Sequence, residues 1–94
     1  MIVRIDIYHG EVDGYGYTVS AEGQQLYGDA GLSSLIHCLA GAIEGLGAEA
    51  KSAELAFQGV VSGTYPLRVL ATRPAEVAQH AVNTTEAVGE AERE

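Results

Sequence analysis

Polar and apolar positions alternate from Ile2 to Tyr8, with Val3, Ile5 and Ile7 on one side and Arg4, Asp6 and Tyr8 on the other. A period of two predicts a half-buried strand. The stretch from His9 to Gly16, HGEVDGYG, is rich in glycine and carboxylate and reads as a surface loop where the chain reverses. Alternation resumes at Tyr15 and runs through Tyr17, Val19 and Ala21 to a break at Glu22-Gly23, after which Gln24 to Gly28 forms a short partner. An Xaa-Gly pair at a two-residue break predicts a hairpin whose second position takes a positive φ. The first third of the chain is thus an antiparallel three-strand meander.

The period then changes. Leu32, Leu35, Ile36, Leu39, Ile43 and Leu46 recur at steps of three and four, the stripe of an amphipathic helix that opens after Asp29 and stops at Gly47. Ser33 and Ser34 suit hydrogen bonding at the helix start, and Cys38, at the margin of the stripe, reads as a small buried hydrophobe. Gly41 and Gly45 lie on the other side of this helix, where a glycine costs about 1 kcal/mol relative to alanine. They are either tolerated or mark close approach by another backbone, and they are the candidate self-association residues.

Leu55, Phe57, Gly59 and Val61 predict one side of a fourth strand, residues 62–65 (SGTY) a turn, and Leu67, Val69 and Ala71 a fifth strand entered through Pro66. Thr72 to Pro74 opens a short helix with Val77, Ala78, Ala81 and Val82 on its apolar side. The fold class is therefore α+β, in the order β-β-β-α-β-β-α. Residues 1–82 form a single domain, and residues 83–94 form a flexible acidic tail with almost nothing to bury.

Charge and composition exclude more than they assign. The 94 residues carry five Lys and Arg against thirteen Asp and Glu, a net charge of −8 that disfavours direct contact with nucleic acid or an acidic membrane. The apolar runs are far shorter than the roughly 20 residues of a membrane helix, and the start of the chain lacks the apolar core of a signal peptide, so the chain reads as cytoplasmic. One cysteine supports neither a disulfide nor a cysteine-based zinc site. His9, His37 and His80 fall at no metal-ligand spacing, and strand alternation sends Asp6 and His9 to opposite faces, so neither a metal nor a cofactor is expected. The glycines at 10, 14 and 16 run into a strand and accompany Glu11 and Asp13, unlike a phosphate loop. No nucleophile elbow surrounds Ser33 or Ser34.

Gly14-Tyr15-Gly16 at the opening of the second strand and Ala42-Ile43-Glu44-Gly45-Leu46 at the end of the helix, in a strand-strand-strand-helix-strand order over residues 2–60, resemble the first half of the ribonuclease H fold. The carboxylate positions of that family hold His9, Leu35 and Gln58 or Gly59 here, and two-metal hydrolysis needs carboxylates converging on cations about 4 Å apart. The resemblance therefore implies a truncated, non-catalytic version. Asp13-Gly14-Tyr15 in the first loop is similar to the corresponding loop of the HicB antitoxin family, although Tyr27 to Gly31 stand where that family has a proline-rich segment. That likeness implies a domain that occludes another protein.

Together these readings predict a non-enzymatic acidic module that binds a basic, nucleic-acid-handling protein, such as a nuclease complex, by mimicking phosphate charge, as an antitoxin or a phage-type inhibitor would. The candidate partner-binding residues are Asp6, Tyr8, Glu11, Asp13, Tyr15 and Tyr17, since tyrosines beside acids are common at protein interfaces. The alternatives are a homo-oligomer, such as a homodimer, joined through Gly41 and Gly45 or the fifth strand's edge, and an enzyme with a small-molecule pocket.

Overall fold

The structure, a computed structural model, describes residues 2–10, 14–46 and 50–93. It is α+β, with five strands in one mixed sheet and three helices. The elements are β1 (Ile2–His9), β2 (Tyr15–Ala21), β3 (Gln24–Leu32), α1 (Leu35–Glu44), β4 (Ser52–Phe57), β5 (Val60–Pro66), α2 (Leu67–Thr72) and α3 (Pro74–Arg93). The sheet order is β3-β2-β1-β4-β5, which places β1 in the centre and leaves β3 and β5 as edges. β1 to β3 form the expected antiparallel meander. α1 carries the chain back across the sheet so that β4 can pair with β1 in parallel, Ile5 beside Leu55.

The alternation in β1 is realised in burial. Val3, Ile5 and Ile7 are buried, while the other side of the strand is at least partly open. With Val19 of β2 and Ala53 and Leu55 of β4 they meet Leu35, Cys38, Leu39 and Ala42 of α1, Leu70 of α2, and Val77 and Ala81 of α3. Burying each of the larger side chains is worth about 1.5–3 kcal/mol. All three helices thus contribute to one apolar layer against the same face of the sheet.

The first hairpin is as expected, with Glu22 at φ 54° and Gly23 at φ 79°, the pair of positive values a two-residue turn needs to match strand twist. Three boundaries differ. β3 runs on to Leu32, so α1 starts at Leu35, capped by Ser34, whose Oγ accepts from the His37 N–H. The helix ends at Gly45 with φ −83°, and the stop expected at Gly47 lies outside the described residues.

The fifth strand is the second difference. Residues 62–65 belong to β5, and Leu67 to Ala71 are helical in α2. The cause is a second two-residue turn, Gln58 at φ 52° and Gly59 at φ 81°, which ends β4 at Phe57 and returns Val60 to Pro66 antiparallel to it. A short run such as Leu67 to Ala71 satisfies a period of two or of 3.6, and here the helical period buries Leu70.

The third difference is the tail. Residues 83–93 continue α3, and the Thr85 hydroxyl donates to the Phe57 carbonyl at 3.1 Å, tying this part of the helix to the end of β4.

Candidate functional site

Strand parity divides the expected partner-binding residues. In the β1–β2 register Tyr8 faces Gly16 and Asp6 faces Thr18, while His9 faces Tyr15 and Ile7 faces Tyr17. Asp6 and Tyr8 therefore lie on the open face. Tyr15 and Tyr17 lie on the helix-covered face, so no single patch contains all four tyrosine and acid positions. Glu11 and Asp13 lie outside the described residues.

On the open face, Arg4 answers the carboxylates around it. Its Nε donates to both Asp6 oxygens, at 3.1 and 2.9 Å, and its Nη1 donates to Glu54 Oε1 at 2.9 Å. The neighbouring carboxylates, Asp6 before Glu54, push the Arg4 pKa up. Two acids sharing one guanidinium make this a weakly charged surface. Tyr8 lies across Gly16, at the place a Cβ would occupy, and is 42% exposed.

On the covered face the tyrosines are packing elements. Tyr15 stacks on His9 with ring centroids 4.2 Å apart and 6° between planes. Gly41 and Gly45 receive tyrosine rings from the same chain: a Cβ on Gly41 would lie 3.0 Å from the Tyr17 hydroxyl oxygen, and one on Gly45 would lie 2.7 Å from Cζ of Tyr27. The Tyr27 hydroxyl donates to the Ala42 carbonyl, and the two rings meet edge to face at 6.4 Å. The close approach expected at these glycines is real, but it comes from β2 and β3 rings and not from another backbone. They seat the sheet on the helix.

This seating leaves a groove of about 580 Å3 between β3 and α1. Asp29 enters it because its register partner is Tyr17, which fixes its face of the sheet. His37, Gly41 and Glu44 line it from the helix. Ser33 and Ser34 place their hydroxyls 2.6 and 2.9 Å from His37 Nδ1, so two hydroxyls compete for one ring nitrogen and hold the imidazole at the end of the groove. The expected helix-start role is met by Ser34, while Ser33 is tied to the His37 ring.

The Tyr17 side chain is buried, the whole residue being 6% exposed, yet it lines the groove. Its hydroxyl makes no hydrogen bond among the described residues. Burial first, then the charges of Asp29, Cys38 and Glu44, push its pKa up. Burial, followed by the charge of Asp29, also pushes the Cys38 thiol up to about 11. Asp29 and Glu44 thus set a negative potential in the groove. Neither forms an ion pair among the described residues, where Arg4 with Asp6 and with Glu54 are the ion pairs found.

The signal that would have placed Tyr17 inside was its alternation with Val19 and Ala21 on an apolar side. Nothing local in the sequence connects Asp29 to Glu44. Among the described residues no three of His, Cys, Asp and Glu are grouped to hold a metal ion, and no helix is long and apolar enough to cross a membrane. Comparison with protein-family models, curated proteins and solved structures returns no match.

Proposed function

We propose that this chain is a non-enzymatic acidic binding module whose partner is a basic protein that handles nucleic acid, bound through carboxylates that stand in for phosphate charge. The observation that carries the reading is the uneven compensation of charge. The net charge is −8, Arg4 neutralises part of the open face, and Asp29 and Glu44 are left without a cationic partner among the described residues at the edge of the sheet beside α1. The contact surface is therefore drawn to the β3–α1 side, with Glu11 and Asp13 retained as sequence candidates. Long-range attraction between such a surface and a cationic partner speeds encounter and weakens as salt screens it. The likeness to a non-catalytic ribonuclease H fold and to the HicB antitoxin family points the same way.

The test is capture of the partner from the native cell, followed by reconstitution from purified components across a salt series. The expected result is a basic partner whose affinity falls steeply between about 50 and 300 mM salt and falls again with Glu11→Lys and Asp13→Lys. A salt-insensitive complex, or an acidic partner, overturns the reading.

A second reading is self-association. With Gly41 and Gly45 occupied internally, it rests on β3, a nine-residue edge strand without the Lys, Arg or Pro that usually blunts such edges. A concentration-independent monomer by light scattering removes it.

A further inference from the structure

We propose that Asp29 guards the free edge of β3, and that without it β3 pairs antiparallel with β3 of a second copy of this chain. The inference is independent of the basic-partner reading. It also gives the self-association reading a definite outcome, because the parent chain is expected to stay monomeric.

The edge itself carries half of the argument. A strand with no neighbour on one side turns main-chain N–H and C=O groups outward and recruits another strand unless something blunts it. The edges of this sheet are β3 and β5, and β5 closes on Pro66, which donates no N–H. β3 is nine residues long and exposed at all but Tyr27 and Leu32, with Leu26 half exposed upon it. A second copy suits this edge because, apart from Asp29, the strand is uncharged. β3 then meets β3 without the repulsion that the net charge of −8 imposes elsewhere. A basic strand would instead be drawn by Asp29, so removal of the carboxylate acts in opposite directions on the two occupants.

The guard is the other half. In the β2–β3 register Tyr17 faces Asp29 and Tyr15 faces Leu32, so Ala30 and Gly31 are skipped. The Ala30 N–H, released from regular pairing, is taken by Asp29 Oδ1 at 2.8 Å. An incoming strand finds this donor occupied and must break a charge-assisted hydrogen bond to reach it. A second skip, at Leu26 between Gln25 and Tyr27, bends the strand further along. Charge adds to the obstruction. Two fully overlapping antiparallel β3 strands centre on Gly28 and set Asp29 opposite Tyr27 of the other copy, so the two carboxylates become diagonal neighbours about 7–8 Å apart and repel.

The test compares the parent with Asp29→Ala, Asp29→Asn and Glu44→Gln by sedimentation velocity from about 10 μM to about 1 mM, with amide hydrogen exchange to locate the contact. Asp29 is exposed, and a low-concentration amide spectrum that matches the parent outside β3 confirms that each variant folds. The parent and Glu44→Gln, which changes net charge as Asp29→Ala does, are expected to remain monomeric. Asp29→Ala should dimerise, with exchange slowing in β3 as concentration rises. Asp29→Asn keeps an oxygen for the Ala30 N–H and should dimerise about tenfold more weakly. Adding Leu26→Lys to Asp29→Ala places a lysine on the edge and should restore the monomer.

A monomeric Asp29→Ala, a parent already paired through β3, a Glu44→Gln dimer as strong as that of Asp29→Ala, or an Asp29→Ala dimer indifferent to Leu26→Lys overturns the guard. Equal association of Asp29→Asn and Asp29→Ala overturns the part assigned to the hydrogen bond. An Asp29→Ala chain that stays monomeric and loses a basic partner overturns the second copy as occupant and gives the edge to that partner.

Discussion

The two faces of the sheet use the same device, a tyrosine lying over a glycine, with opposite outcomes. On the covered face Tyr17 and Tyr27 fill spaces left by Gly41 and Gly45 in α1, and their rings fix how closely helix and sheet approach. On the open face Tyr8 lies over Gly16 of the neighbouring strand and stays substantially exposed. A missing side chain creates a seat in each case. Whether the seat bears load depends on what packs behind it, and strand parity decides that one residue at a time.

Ile5 and Asp6 are adjacent and face opposite ways, so they give the largest contrast. Ile5 is fully buried at the centre of the sheet, and Ile5→Ala should cost about 2–5 kcal/mol through lost burial and the cavity left behind. Asp6→Ala removes an exposed ion pair with Arg4 and should cost about 1 kcal/mol or less. Urea denaturation of the two variants measures both. Comparable losses would mean that the open face is covered in solution and that the sheet is not divided into a buried and an open face.

The glycine seats give the next contrast. In Gly45→Ala the new methyl falls 2.7 Å from Tyr27 Cζ, and the ring is held by its hydrogen bond to the Ala42 carbonyl. Accommodation requires breaking that bond or moving the helix, at a net cost of about 1–2 kcal/mol after the gain alanine brings in a helix. In Gly16→Ala the obstructing ring is Tyr8, which swings into solvent, and the change should stay within about 0.5 kcal/mol. If Gly16→Ala proves the more damaging of the two, Tyr8 is fixed by something other than Gly16, and the exposed tyrosine is part of a covered surface.

Much of the meander was legible because its alternation is clean on both sides of Glu22-Gly23. The same turn chemistry at Gln58-Gly59 is masked in the sequence, since Ala56, Phe57, Val60 and Val61 are apolar on either side and read as one continuous strand. The helical end of the chain was hidden for a different reason. Its composition is polar, and what docks it, Thr85 on the Phe57 carbonyl, is a long-range contact with no local signature. The groove was the least legible feature. Asp29 in β3 and Glu44 in α1 line the same groove only in the folded chain, and periodicity within either element carries no trace of that. The sequence leaves Gly41 and Gly45 open between tolerance and close approach by another backbone, and the tyrosine rings that fill them carry no local signal.

The smallest effect lies at alkaline pH and again separates the faces. Cys38 is fully buried and its thiol is pushed up to about 11 from 9.0, by burial first and then by the charge of Asp29. Burial also raises the hydroxyls of Tyr17 and Tyr27. Each of these groups is neutral when protonated, so the folded chain keeps protons that the unfolded chain gives up. Their contribution to stability is complete below about pH 9 and falls as pH rises through the folded values. Arg4, the cation of the open face, is shifted upward by its carboxylates and so keeps its charge throughout that window. The urea midpoint should therefore be flat from about pH 7 to 9 and decline towards pH 11. Cys38→Ala should soften the decline, while Arg4→Met should shift the whole curve without changing its slope. A midpoint that stays level to pH 11, or a Cys38→Ala curve with the parent's slope, would mean that the thiol is hydrated in solution and that the layer between α1 and the sheet is looser than its packing indicates.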